Sequence, residues 1–302
     1  MTTPGQKRSL WLAAIGVPLL LASAFALQTR IDASTRTEAR IRQELLLSSP
    51  AAIKKLSLGY DSLLADIYWT RAVQYYGGQL AAQRFQLPLL WPLLDITTTL
   101  DPKLVPAYHF GAIFLSEPLA GANRPDLAVQ LVQRGVAANP TVWSLDGDLG
   151  FLYYWHFRDY QNAAAAYLAG SQTERAPAWM KIMAARLQQK NGSIQTSRMI
   201  WSQIYASNTN ENIRQLALQN LRGLRAQEDE QAIDGLAEKY RQQFGRFPAS
   251  TRELRDTGFI RGIPVDPAGY PYVLEPAGNT SLDPRSPVII PKEPRTPPPP
   301  VK

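Results

Sequence analysis

Asp61, Ser62, Asp66 and Arg71 fall within "LSLGYDSLLADIYWTRAVQYYGG", residues 56–78, the stretch with the densest mixture of nucleophile, carboxylate and cation. A serine hydroxyl attacks at neutral pH only with a base beside it. The chain has two histidines, His109 and His156, and neither has an aspartate three residues before it to orient an imidazole. A serine-hydrolase set is therefore not expected at Ser62. Asp146 and Asp148 flank Gly147 and are expected to cap a helix and offset its dipole rather than to act as an acid–base pair. The histidines lie 47 positions apart without companion ligands, so no zinc site is expected, and with no cysteine in the chain, thiolate chemistry and disulfides drop out. There is no phosphate loop and no dinucleotide fingerprint. No catalytic set, cofactor site or metal site follows.

The same stretch reads better as a helix. Ser62, Asp66, Thr70 and Gln74 recur every fourth residue as one polar stripe. Leu63, Leu64, Ile67, Tyr68, Ala72 and Tyr75 cover the remainder, Asp61 is the expected N-cap, and Gly77-Gly78 the expected end. Arg71 projects from the apolar side, which requires either a stem that reaches water or a carboxylate partner such as Asp95. With Asp66, Trp69, Arg71, Tyr75, His109, Tyr153 and Tyr154 as candidates, the expected chemistry is recognition of a protein or peptide partner. An alternative is a glycan- or small-molecule-binding or enzymatic module using Tyr68, Trp69, Tyr75, Tyr76, Trp143, Tyr153, Tyr154 and Trp155. A third is a subunit of a larger membrane complex.

The elements that must position these residues are helical. The 302 residues carry 45% apolar side chains and a net charge of +7 with scattered basic residues, which fits a folded protein and gives no nucleic-acid footprint. Asp101-Pro102, Asn139-Pro140 and Ala176-Pro177 recur at steps of 38 and 37 residues, a period that signals stacked helix pairs. Small and aromatic residues fall at the expected close contacts: Gly111, Phe114, Ala128 and Gly135, then Leu149-Gly150, Tyr153, Tyr160, Ala163, Tyr167, Gly170 and Pro177. This pattern resembles tetratricopeptide (TPR) repeats. The resemblance implies a mainly α fold, an α-solenoid of TPR-like helix pairs over residues 56–227, with a groove that takes a protein or peptide. The loop Ser116–Asp126 lengthens one unit, and Pro88 and Pro92 are expected to interrupt the second helix of the first.

Lys7 and Arg8 close a basic tail (residues 1–9) before an uncharged run, Leu10–Leu27, at the short end of the roughly 17–25 residues that span a bilayer. Ala22-Ser23-Ala24 and Ala24-Phe25-Ala26 offer the alternative of a cleaved signal peptide. The run 10–27 reads as a single transmembrane helix, residues 28–55 as a stalk, and the bulk of the chain as extracytoplasmic at the cytoplasmic membrane.

From residue 228 the texture changes. Tyr240, Gly245, Phe247, Pro248, Leu254, Pro264, Asp266, Pro267, Gly269, Pro271 and Tyr272 resemble the C-terminal part of type II secretion major pseudopilins. Ala268 stands where that family carries tryptophan. The resemblance implies a small α+β or loop-rich segment over 228–283 and a partner in a pilus or type II secretion assembly. Residues 284–302 form a proline-rich tail.

Overall fold

The computed structural model describes residues 49–84 and 86–290. The basic tail, the apolar run 10–27, stalk residues 28–48 and the tail beyond residue 290 lie outside the described residues. Among the described residues the chain is mainly helical, and no helix is long and apolar enough to cross a membrane. It divides into two compact units at Leu131/Val132.

The first unit is built around one buried helix. Helix α1 (Pro50–Leu56) starts at Ser49, whose Oγ accepts from Ala52 N–H, with Pro50 at a position that lacks an intrahelical donor bond anyway. Helix α2 (Asp61–Ala81) and α1 both pack on α3 (Leu90–Leu100), and α3 in turn packs on α4 (Val105–Ser116). Leu90, Leu93, Leu94, Ile96 and Leu100 of α3 are buried, and its buried Thr97 and Thr98 satisfy their hydroxyls on the Leu93 and Leu94 carbonyls at 2.8 and 2.9 Å. Gly111 lets α4 approach closely: a Cβ there would come within 2.9 Å of Leu94 and Leu131 side-chain carbons.

Several local expectations change here. Asp61 is the first helical residue rather than the cap, and its carboxylate accepts from Ser57 Oγ. Gly77-Gly78 lies inside α2, which runs to Ala81; two glycines cost about 1 kcal/mol each against alanine, and packing on α3 outweighs that. Pro88 precedes α3 and Pro92 sits in its first turn, so neither breaks it. The Ser116–Asp126 loop folds back on α4, with Ala122 N–H and Arg124 N–H donating to the Phe114 and Leu115 carbonyls at 2.9 and 2.7 Å.

Helix α5 (Pro125–Ala138) carries the division between the units. In the second unit, α6 (Trp143–Leu152), α7 (Tyr160–Gly170), α8 (Ala178–Lys190), α9 (Ile194–Ser207) and α10 (Glu211–Phe244) pack each on the next in chain order. Small residues make the contacts possible: a Cβ on Gly150 would meet the Tyr167 ring at 2.9–3.0 Å, and one on Gly170 would meet Met180 and Asp146. Trp201 is fully buried among Ile200, Ile204, Met180 and Leu187. Each such aliphatic side chain contributes about 1.5–3 kcal/mol on burial.

Between α6 and α7, Tyr153–Phe157 forms a single π-helical turn closed by Arg158 in the left-handed conformation (φ 53°). The π turn continues α6 as a wider final turn, and the chain leaves the helix at Arg158 before α7 starts at Tyr160.

Helix α10 crosses the 227/228 position without interruption and ends at Gly245 (φ 75°), whose N–H donates to the Arg241 carbonyl. Beyond it lie the short helix α11 (Thr251–Asp256) and an antiparallel pair, β1 (Val273–Leu274) and β2 (Thr280–Ser281), with Val273 opposite Ser281. Ile233, Ala237 and Tyr240 of α10 share a core with Leu254, Tyr272 and Leu274. Asp234 accepts from Thr280 N–H at 2.6 Å and Asp229 from Tyr272 Oη at 3.2 Å, so the hairpin is tied to the second half of α10.

Candidate partner-binding surface

Each unit carries its own aromatic face. In the first, Trp69, Val73 and Tyr76 form a stripe along α2, and Phe110, Ile113, Phe114 and Glu117 a stripe at i, i+3, i+4 and i+7 along α4 and its C-cap. Phe114 stacks on Tyr76 at 4.0 Å and on Trp69 at 6.3 Å, and Phe110 lies 6.5 Å from Phe114. Phe110 and Ile113 are 46% and 45% exposed although the opposite side of α4 supplies Ala107, Tyr108, Ala112 and Leu115 to the core. Helix α4 is thus apolar on a second face, of which Phe114 packs on α2 while Phe110 and Ile113 stay exposed among the described residues. Burial pushes the Tyr76 hydroxyl pKa up, with the Glu117 charge adding to it, so a carboxylate stands at the edge of this face.

The sequence-picked residues distribute unevenly around it. Trp69 is on this face, and His109 joins through Phe110, which it meets edge-on at 5.1 Å. Asp66 is on the exposed polar stripe with Ser62, Thr70 and Gln74, away from the rings. Arg71 and Tyr75 lie on the other flank of the buried α2 face. Arg71 is half-buried with its guanidinium 5.5 Å from the centre of the Tyr68 ring; burial raises the Tyr68 pKa and the Arg71 charge opposes that rise. Of the α2 candidates, Trp69 therefore lies on one flank of the buried face and Arg71 and Tyr75 on the other.

In the second unit Tyr153 and Tyr154 are held in the π turn. Tyr153 Oη accepts from Gln133 Nε2 at 3.0 Å, and Tyr154 packs tilted against Tyr160 at 6.1 Å. Their neighbours Phe151 and Trp155 are the more exposed pair, stacked at 5.9 Å and nearly parallel. Trp143 meets Trp179 edge-on at 6.3 Å.

Asp146 does not cap α6; Val142 occupies that position and makes no side-chain cap bond. Asp146 is buried within the first turn, and burial pushes its pKa up. Among the described residues no group of three metal-ligating side chains converges.

The carboxylates of the C-terminal segment are structural. Glu253 accepts from Arg246 Nη2 (2.6 Å), Ala249 N–H (2.6 Å) and Tyr240 Oη (2.7 Å), and the Arg246 bond leads in holding its pKa down to about 2. Burial works to raise the pKa of Asp266, yet bonds from Ser286 Oγ and the Tyr270 and Ala268 N–H groups prevail and lower it. Asp283 is held at about 2 by Arg285 beside it.

Phe110, Ile113 and Phe114 carry no polar chemistry and so stand outside the residues expected from nucleophile, carboxylate and cation spacing. Their signal is the run "AYHFGAIFL", apolar on every face of one helix. No protein-family model matches the chain, and no curated protein is significantly similar to it.

Proposed function

We propose that this chain is a membrane-tethered helical-repeat scaffold that holds a protein or peptide partner against the α2–α4 aromatic face. The observation that carries the reading is the exposed pair Phe110 and Ile113 beside the half-buried stack of Phe114 on Tyr76 and Trp69. Rings and aliphatic groups left in water on a helix whose other face is already buried are available to a partner. Successive packing of α6 to α10 and the recurring prolines support a TPR-like solenoid. The uncharged run 10–27 supports a tether, and the pseudopilin-like C-terminal segment directs the partner search to envelope assemblies such as a pilus or type II secretion machine.

The test is crosslinking and purification in mild detergent, comparing wild type with Phe110→Ala/Ile113→Ala. Affinity for the partner should fall about 30-fold for each anchoring side chain worth about 2 kcal/mol, and several hundred-fold or so for the double variant where the two losses add. The helical circular-dichroism signal should stay unchanged. A wild-type preparation with no reproducible partner, or a variant that retains it, would sink the proposal.

A further inference from the structure

A second exposed apolar surface lies at the other end of the first unit and has a different character. Leu56, Leu58, Tyr60, Leu63 and Ile67 are all exposed, Leu58 at 87% and Tyr60 at 67%. Leu58 is held in the left-handed conformation (φ 52°) ahead of Gly59 (φ 91°), an uncommon state for leucine, and it projects from the turn between α1 and α2. Tyr60, Leu63 and Ile67 continue the surface along the side of α2 opposite to the buried Ala65, Tyr68 and Ala72. Ser62 and Asp66 border it on one side.

One turn further along the same stripe the residues become Thr70 and Gln74. This stripe of α2 therefore passes from apolar to polar within about 10 Å of helix axis, at 1.5 Å per residue, while Val73 and Leu80 remain exposed on the neighbouring side. A groove that takes a peptide along the helix would keep its character along the axis. A graded surface matches a planar boundary between oil and water, where side chains enter to about 5–10 Å. Lys54 and Lys55 stand exposed in the two positions before Leu56; the Lys54 ammonium donates to the Thr99 carbonyl at 3.1 Å, so Lys55 is the cation placed to meet anionic headgroups, and the phenol of Tyr60 suits the same level. In the chain, this end is the described part closest to the uncharged run 10–27, separated from Ser49 by 21 residues.

We infer that the α1–α2 turn docks on a lipid surface, with Leu56, Leu58, Tyr60 and Leu63 entering the headgroup–acyl boundary of the membrane that the run 10–27 anchors. The inference rests on the membrane-tether reading and adds a second contact that orients the helical units against the bilayer.

The chain contains no cysteine, so Leu58→Cys, Leu63→Cys and Gln74→Cys each give a single labelling site. Each full-length variant, labelled with a small fluorophore, is reconstituted into phosphatidylcholine–phosphatidylglycerol vesicles with or without brominated acyl chains. The expected result is loss of emission with brominated lipid for L58C and L63C and no loss for Q74C, with an unchanged helical signal in all three. Protein that stays with the vesicles through an alkaline wash while L58C remains unquenched overturns the lipid contact. A label shielded from aqueous iodide but not quenched by bromine also overturns it, since a protein segment then covers the surface. Protein stripped from the vesicles by the wash overturns the tether and the lipid contact with it.

Discussion

Replacing Gly278 by alanine tests whether the C-terminal segment is organised as described. Gly278 is buried between β1 and β2 with φ 84°, and its N–H donates to the Glu275 carbonyl at 2.9 Å. An added Cβ would sit 2.3 Å from Phe247 Cδ1 and Cε1. Two effects add. A left-handed conformation costs a non-glycine residue about 1–2 kcal/mol. Overpacking against a ring costs about 1–3 kcal/mol. The total is about 2–5 kcal/mol, and because Phe247 is only half-buried and can give way, the lower half of that range is expected. Hydrogen exchange resolves this locally, using the Glu275 and Thr280 amides, which donate to the Asn279 carbonyl and the Asp234 carboxylate. A loss of 2 kcal/mol lowers their protection about 30-fold. Gly278→Ala/Phe247→Leu should recover the steric part and leave the conformational part of about 1–2 kcal/mol. Exchange in G278A within about twofold of wild type would refute both the ring contact and the need for a left-handed residue.

Four further outcomes are expected. Gly150→Ala forces a Cβ to 2.9–3.0 Å from the buried Tyr167 ring and should cost about 1–3 kcal/mol, read as a lower unfolding midpoint in urea. Glu253 has its pKa lowered to about 2 from 4.5, so its stabilising effect is fully present above pH 4.5 and lost as pH falls towards 2; an acid titration followed by exchange at α11 should lose that dependence in Glu253→Gln. Asp146 has its pKa raised by burial, so its ionised form opposes folding and its contribution becomes favourable as pH falls through the carboxylate range towards 3.8; the stability difference between wild type and Asp146→Asn in urea titrations should shift towards wild type over that range. Phe110→Ala/Ile113→Ala should leave the urea midpoint within the change of about 0.5 kcal/mol per site that exposed substitutions cause, while it abolishes partner recovery.

Helix periodicity was readable wherever one face is buried and the other wet. Ser62, Asp66, Thr70 and Gln74 are all exposed, and Tyr68 and Ala72 are buried, as their four-residue spacing implies. Leu63 and Ile67 break that rule by standing exposed, because hydropathy alone does not distinguish a core position from a surface one. The end of α2 was misread because glycine propensity is a local quantity and the packing that overrides it is not. The π turn at Tyr153–Phe157 has no propensity signature. The change of texture at residue 228 is real in composition, yet "LRAQEDEQAIDGLAEKY" contains no proline and a single glycine, Gly235, which costs about 1 kcal/mol in a helix interior and is carried by the packing on either side, so the helix continues to Phe244. Arg71 was legible as a cation on an apolar flank, whereas its separation from Trp69 depends on angles around α2 that a linear reading compresses.

The uninterrupted α10 has a mechanical consequence. Its first half packs on α9 and its second half holds the β1–β2 hairpin through Asp229 and Asp234, over 34 residues or about 50 Å. A helix resists torsion, so the angular phase of the hairpin is fixed by counting residues and not by a flexible joint. Removing one residue between the halves would turn the hairpin by about 100° around the axis and draw it in by about 1.5 Å, with every contact on either side left intact. The length of that connection is therefore part of the address at which the C-terminal segment is presented, and it sets a constraint that no individual side chain carries.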